Sequence, residues 1–277
     1  MLVFLNGQFV PPARAVVPVN DRGFLYGDGL FETLRVAGGR PFRFAQYLQR
    51  LRRGADFLKM EVPFAARDLQ EIAGRLIEQN RMPDAILRLT VTRGPGERGY
   101  TPKPGAPPTV VMTLHAAPAA DTPASWRLVT SSFRVPAADP LSSIKTLNKL
   151  PHVLARIEAA EKGADEALLL NSRGEVAETA GGNLFWVDEG RPFTVPTACG
   201  ALPGVTRAVV LEICQALGVP AGERIIKPDA LQNVTGLFTT QSALGVVPVA
   251  RLDGRPVPPS PLTDQIAGAY REMLAQP

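Results

Sequence analysis

Leu141-Ser-Ser-Ile-Lys-Thr-Leu-Asn-Lys-Leu150 sets Lys145 between apolar residues, just ahead of a stretch with helical periodicity. A lysine in that setting has two readings. It either caps a strand and carries its ammonium out to water, or it is kept unprotonated by desolvation and serves as an amine nucleophile. The stretch alone does not decide between them, and the surrounding chain has to.

Working outward on the C-terminal side, Lys149–Lys162 reads as a helix and Ala167–Leu170 as a buried strand. Glu175-Val-Ala-Glu-Thr-Ala-Gly-Gly-Asn-Leu-Phe185 then puts Glu178 ahead of two glycines. An enclosed carboxylate can hold a pyridinium N–H, or it can simply pair with an arginine in a turn. Short strands at Asn183–Val187 and Pro192–Val195 follow. Ala201-Leu-Pro-Gly-Val-Thr-Arg207 runs into a helix over Val205–Leu217 that ends at Gly218. The unpaired first-turn amides there, with the Val205 and Thr206 positions, suit a phosphate as well as a plain helix start. Thr239-Thr-Gln-Ser-Ala-Leu-Gly245 is a second polar turn, offering Thr240. Further short strands are expected at Arg224–Lys227, Leu237–Thr240 and Val246–Val249, with a closing helix over Leu262–Leu274.

On the N-terminal side, Asn6-Gly7 predicts a tight hairpin. Leu30–Val36 alternates like a strand, and Phe44–Met60 and Ala66–Gln79 have helical periodicity. Arg50, on the first of these helices, could grip a phosphate with both arms of its guanidinium, or stand on the surface beside Arg52 and Arg53. Strands are expected at Ala85–Thr92 and Thr109–Leu114, joined by a long loop. Gly94-Pro-Gly-Glu-Arg-Gly99 in that loop has the spacing of a dinucleotide fingerprint, but the prolines after it forbid the helix such a site needs. Arg93, Arg98 and Tyr100 on the loop suit a substrate carboxylate or plain solvent. The small, Pro-rich segment 118–124 reads as a linker, dividing the chain into a smaller domain over 1–117 and a larger one over 125–277.

The composition is that of an ordinary globular protein: 277 residues, 45% hydrophobic, 20% charged, with a net charge of +4. The basic residues are scattered, so no nucleic-acid partner is expected, and the excess suits a small anionic substrate. The chain has two cysteines and two histidines, His115 and His152, without ligand spacing. That argues for a reduced, cytoplasmic setting and against a zinc site. No run of ~18 apolar residues appears, so no membrane span is expected.

A lysine, a carboxylate, an arginine and a helix start form the set that pyridoxal 5′-phosphate needs. Their order resembles the class IV (fold type IV) pyridoxal-phosphate enzymes, which include branched-chain and D-amino acid aminotransferases and 4-amino-4-deoxychorismate lyases. Asp21-Arg-Gly-Phe-Leu-Tyr-Gly-Asp-Gly-Leu-Phe-Glu-Thr33 is similar to the family's opening motif. The resemblance implies Arg50 as phosphate ligand, Lys145 as Schiff-base lysine and Glu178 as partner of the ring nitrogen. Val205, Thr206 and Thr240 would lie at the phosphate turns, with Phe31, Arg98 and Tyr100 toward the substrate. It implies an α+β, two-domain fold with a smaller α/β N-terminal domain and a larger β-barrel-like C-terminal domain, assembled as a homodimer.

Within the family, Arg93-Gly-Pro-Gly-Glu-Arg-Gly-Tyr100 and Gly245-Val-Val-Pro-Val249 are most similar to the lyases, which release p-aminobenzoate and pyruvate for folate synthesis. D-amino acid enzymes usually show Arg-x-His where Arg98 and Tyr100 stand. Branched-chain enzymes tend to place a tyrosine where Leu150 stands, and Gln241 departs from the family's Asn or Gly. The expectation is a lyase. The alternatives are an aminotransferase for D-amino or branched-chain L-amino acids, and a cofactor-free binding protein.

Overall fold

The computed structural model describes residues 1–103, 105–118 and 125–276. The chain divides into two compact units, Met1–Ala117 with Ile144–Asn148, and Pro118–Ser143 with Lys149–Gln276. The linker expected at 118–124 lies, from residue 119, outside the described residues. The segment that carries Lys145 clusters with the first unit, although the sequence division puts it in the second.

The first unit is built on a six-stranded sheet in which all pairs are antiparallel. Its strands are β1 (Val3–Leu5), β2 (Gln8–Val10), β3 (Gly29–Ala37), β4 (Arg40–Pro41), β5 (Ala85–Thr92) and β6 (Thr109–Ala116), in the order β2-β1-β6-β5-β3-β4. Asn6 and Gly7, with φ of 48° and 93°, form the turn between β1 and β2, where the left-handed backbone matches the strand twist. A short helix, α1 (Arg22–Tyr26), leads into β3, and α2 (Phe44–Phe57) and α3 (Ala66–Asn80) pack against the sheet. Their apolar stripes (Leu48, Leu51 and Ala55; Leu69, Ala73 and Leu76) are buried, as the 3.6-residue spacing dictates. Helix α2 stops at Phe57 rather than Met60, because the chain turns left-handed at Lys59 (φ 50°).

The second unit holds a mixed nine-stranded sheet. Its strands are β7 (Trp126–Val135), β8 (Glu166–Asn171), β9 (Val176–Thr179), β10 (Asn183–Asp188), β11 (Arg191–Thr194), β12 (Gly222–Glu223), β13 (Gly236–Gln241), β14 (Gly245–Leu252) and β15 (Arg255–Pro256). The order is β12-β11-β10-β13-β14-β7-β8-β9, with β15 beside β14. Strand β9 ends that order, yet only three residues join it to β10 near the other end, so the sheet curls on itself. This is the barrel-like form that the family resemblance implies. Helix α4 (Leu150–Glu161) packs on β7 and β8, while α5 (Val205–Ala216) and α6 (Pro261–Ala275) pack on each other and on β13.

The strand expected at Arg224–Lys227 is absent, and the ladder here is Gly222–Glu223 instead. Arg224 N donates to Thr194 O and Ile226 O accepts from Val176 N, both at 2.9 Å, but these single bonds go to different strands and build no ladder. The Arg224 side chain reaches Asp188 (2.6 Å) and the ring of Phe193.

Candidate active site

In the first unit the lysine segment is laid along the start of β3. Phe31 N donates to Lys145 O at 3.0 Å and Leu147 N donates to Gly29 O at 3.0 Å. That approach requires glycine at 29, where a Cβ would lie 2.9 Å from the Leu147 side chain and 2.7 Å from Val91 O. The half-buried Lys145 has its ammonium nitrogen 4.6 Å from the centroid of the Phe31 ring. The guanidinium of Arg88, on β5, lies 3.9 Å from the same centroid, as the diagonal register of β3 and β5 allows. Burial lowers the Arg88 pKa, and no carboxylate among the described residues bonds to it. Sequence reasoning passed over Arg88; a cation in the middle of an apolar strand was the signal that could have found it.

The next residue of β3, Glu32, points to the other face of the strand. It accepts two hydrogen bonds from Arg50, from Nε at 2.9 Å and Nη2 at 2.5 Å, with both side chains buried. Arg50 is thus inside the fold rather than on the surface, next to a partner the sequence reading did not give it.

The Arg93–Tyr100 loop is built firmly. Asp21 is wholly buried and accepts from Gly23 N, Thr92 Oγ1 and Thr109 Oγ1 at 2.7, 2.9 and 2.6 Å. Arg22 and Arg93 both bond to Asp28 at 2.8 Å. Burial raises the pKa of Asp28, but those two arginines more than offset it and hold the carboxyl below its ordinary value. Arg22 also donates to Gly99 O (2.8 Å) and Tyr100 O (2.9 Å), while Gly99 N donates to the Tyr26 hydroxyl at 2.9 Å. The loop's backbone is pinned, and Arg98 and Tyr100 are both exposed on this chain. No helix follows Gly94–Gly99, so the glycine pattern is no dinucleotide site.

In the second unit Glu178, at the end of β9, is buried. Its Oε1 faces His152 Nε2 at 3.0 Å and its Oε2 accepts Leu202 N at 2.9 Å. Leu202 O in turn accepts from Asn183 Nδ2 at 2.8 Å, and Asn183 stands opposite Thr240 in the β10–β13 register. Among the described residues no side chain caps the start of α5, where Val205 and Thr206 form the first turn. The approach there is close: a Cβ on Gly204 would lie 2.1 Å from Asn183 Oδ1, and one on Gly182 2.1 Å from Thr240 O. Thr240 Oγ1 is buried with no hydrogen-bond partner among the described residues. A helix start that no side chain caps and an orphaned hydroxyl, both next to Asn183, fit the phosphate of pyridoxal phosphate. Glu178 fits its ring nitrogen. Among the described residues no cluster could hold a metal ion.

The sequence model of the class IV amino-transferase family matches residues 29–252. A Methanocaldococcus jannaschii protein provisionally named a branched-chain-amino-acid aminotransferase is 36% identical, over 92% of this chain and 89% of that protein. The Staphylococcus aureus D-alanine aminotransferase is 30% identical over 98% and 97%. A branched-chain amino acid aminotransferase (T.th.) solved with N-(5′-phosphopyridoxyl)-L-glutamate superposes with a TM-score of 0.92, at 31% identity over 99% of this chain and 94% of that one. A Legionella pneumophila protein provisionally named a 4-amino-4-deoxychorismate lyase gives a TM-score of 0.87, at 25% identity over 93% and 95%. The chain belongs to the class IV amino-transferase family, and its cofactor is pyridoxal 5′-phosphate.

Proposed function

We propose that this enzyme is a 4-amino-4-deoxychorismate lyase, releasing p-aminobenzoate and pyruvate for folate synthesis. The observation that carries the reading is the Arg93–Tyr100 loop. Its wording is similar to that of the lyases, and Arg22 and Tyr26 lock its backbone so that Arg98 and Tyr100 project outward. The substrate bears two carboxylates. Arg88, half-buried and without an anionic partner among the described residues, and Arg98 on the loop are two separate cations suited to them.

When bound, pyridoxal phosphate supplies an aldehyde that condenses with amines and a ring that withdraws electrons from the amine-bearing carbon. Lys145 provides the amine that anchors the cofactor and, once displaced, takes the proton from that carbon as general base. Glu178 holds a proton on the ring nitrogen. Arg50, the first-turn amides at Val205 and Thr206, and Thr240 bind the phosphate. Phe31 and Arg88 orient the substrate beside Lys145. The protein works as a homodimer, with Arg98 and Tyr100 serving the partner subunit's substrate.

A second reading, an aminotransferase acting on D-amino or branched-chain L-amino acids, is favoured by the names of the relatives at 36% and 30% identity. Both readings predict a yellow protein bleached by borohydride, and a Lys145→Ala variant at least about ten-thousandfold slower. They part on the product. The lyase makes fluorescent p-aminobenzoate from aminodeoxychorismate. Rapid conversion of the cofactor to its amine form by D-alanine or L-leucine, with no p-aminobenzoate formed, overturns the lyase reading in favour of the transaminase.

A further inference from the structure

Glu178 is held in an unusual way for a buried carboxylate. Neither oxygen meets an arginine or lysine among the described residues. One faces His152 Nε2 at 3.0 Å and the other accepts the Leu202 amide at 2.9 Å. An ionised carboxylate only accepts, so the histidine must present Nε2–H to it. The other ring nitrogen, Nδ1, is buried and has no hydrogen-bond partner among the described residues. Were Nδ1 also protonated, its N–H would be a donor stranded without an acceptor, which is costlier than an acceptor left alone in a neutral ring. His152 stands in the first turn of α4, behind Pro151, where the helix start carries partial positive charge and a neutral ring sits better than a charged one. The pair therefore reads as a neutral imidazole donating one hydrogen bond to a charged carboxylate.

We propose that His152 is a positioning residue. Through Nε2–H it fixes the plane of the Glu178 carboxylate without cancelling its charge, so that the carboxylate keeps a proton on the cofactor's ring nitrogen. The inference rests on the reading of Glu178 as the partner of that nitrogen. An arginine in the same place would neutralise the carboxylate and weaken its hold on the ring proton. An apolar residue would leave one oxygen unbonded and the carboxylate free to rotate. The Leu202 amide secures the second oxygen, so two protein donors define the plane and each oxygen still has a lone pair for the ring N–H. The phosphate seat is coupled to the same frame, because Leu202 also accepts from Asn183, beside Gly204 and opposite Thr240.

The test reads the ring nitrogen directly, in holoenzyme loaded with pyridoxal 5′-phosphate carrying ¹⁵N in the ring. The wild type is expected to show the resonance of a protonated nitrogen. His152→Leu moves it toward the unprotonated position and raises the cofactor's dissociation constant by about tenfold, as loss of a ligand's outer partner does. His152→Gln, which can still donate one N–H, restores the resonance. Thermal melts show whether each variant is folded, and His152→Phe replaces the leucine variant if that one is not. A resonance and dissociation constant unchanged in the apolar variants overturn the proposal, as does a glutamine variant that behaves like leucine. Glu178→Gln separates the two levels. If it leaves the resonance in place, the reading of Glu178 falls and His152 with it; if it moves the resonance while the His152 variants do not, only the role of His152 falls.

Discussion

Two buried glutamates, one in each unit, are kept in the fold by opposite means. Glu32 is 1% exposed and grips the guanidinium of Arg50 with both oxygens, so its charge is answered inside the protein. Glu178 is 7% exposed and, among the described residues, bonds to an imidazole and a backbone amide rather than to a cation. Taking an ion out of water costs several kcal/mol, and a fixed counter-ion is the usual remedy. A buried carboxylate lacking one is a place where a cation brought by a ligand completes the electrostatics. Arg88 is the converse case, a guanidinium answered by an aromatic face and by no anion among the described residues. The first charge is answered within the protein; the second leaves a charge that a bound group of opposite sign would complete.

The contrast can be broken in four ways. Glu32→Gln should act on stability most, because it removes the carboxylate that answers the buried Arg50; a loss of about 3–5 kcal/mol in urea unfolding is expected. A variant as stable as the wild type would show that the other contacts of Arg50 suffice. Glu178→Gln should instead spare stability and lower turnover by about a hundredfold to a thousandfold, since the group acts on charge that develops during the reaction. If it melts early, Glu178 belongs with Glu32. Arg88→Met should raise KM for a carboxylate substrate by about tenfold to a hundredfold with little change in melting temperature. Equal KM values would remove Arg88 from the substrate-binding set.

The smallest effect concerns Asp28. Burial raises its pKa, the bonds from Arg93 and Arg22 lower it further, and the net value is below the ordinary one. The stability it contributes is therefore complete above about pH 4 and is lost as pH falls through the depressed folded value. Urea midpoints taken below pH 4 should fall less steeply in Asp28→Asn than in the wild type. Parallel slopes would remove Asp28 from the acid response.

What could be read in the chain followed what is local. The helices came from the spacing of Leu48, Leu51 and Ala55 and of Leu69, Ala73 and Leu76, and the hairpin from Asn6-Gly7. The family resemblance added the order of the motifs. Pairing between distant residues was not legible. Arg50 meets Glu32 across 18 positions, and His152 meets Glu178 across 26, with nothing in either short segment to announce it. The lysine segment joins the first unit because two backbone bonds to Gly29 and Phe31 draw it there, and backbone bonds leave no trace in side-chain pattern. Arg224–Lys227 looked like a strand because its residues suit extended backbone. Its backbone bonds go singly to two different strands, from Arg224 N to Thr194 O and from Val176 N to Ile226 O, so no ladder forms before the turn at Pro228.

The parallel pairing of β7 with β14, in which Trp126 lies beside Val249, has a consequence in time. At the usual pace of translation, about 120 residues take roughly ten seconds to follow β7 out of the ribosome. The first sheet is antiparallel throughout, and its last strand, β6, ends at Ala116. Residues 144–148 emerge soon after, and Leu147 and Phe31 can then make their bonds. The seat of Lys145 is thus complete while the second sheet still lacks β13 and β14, so the proposed nucleophile and Arg50 are in place before Glu178, Val205, Thr206 and Thr240 have emerged.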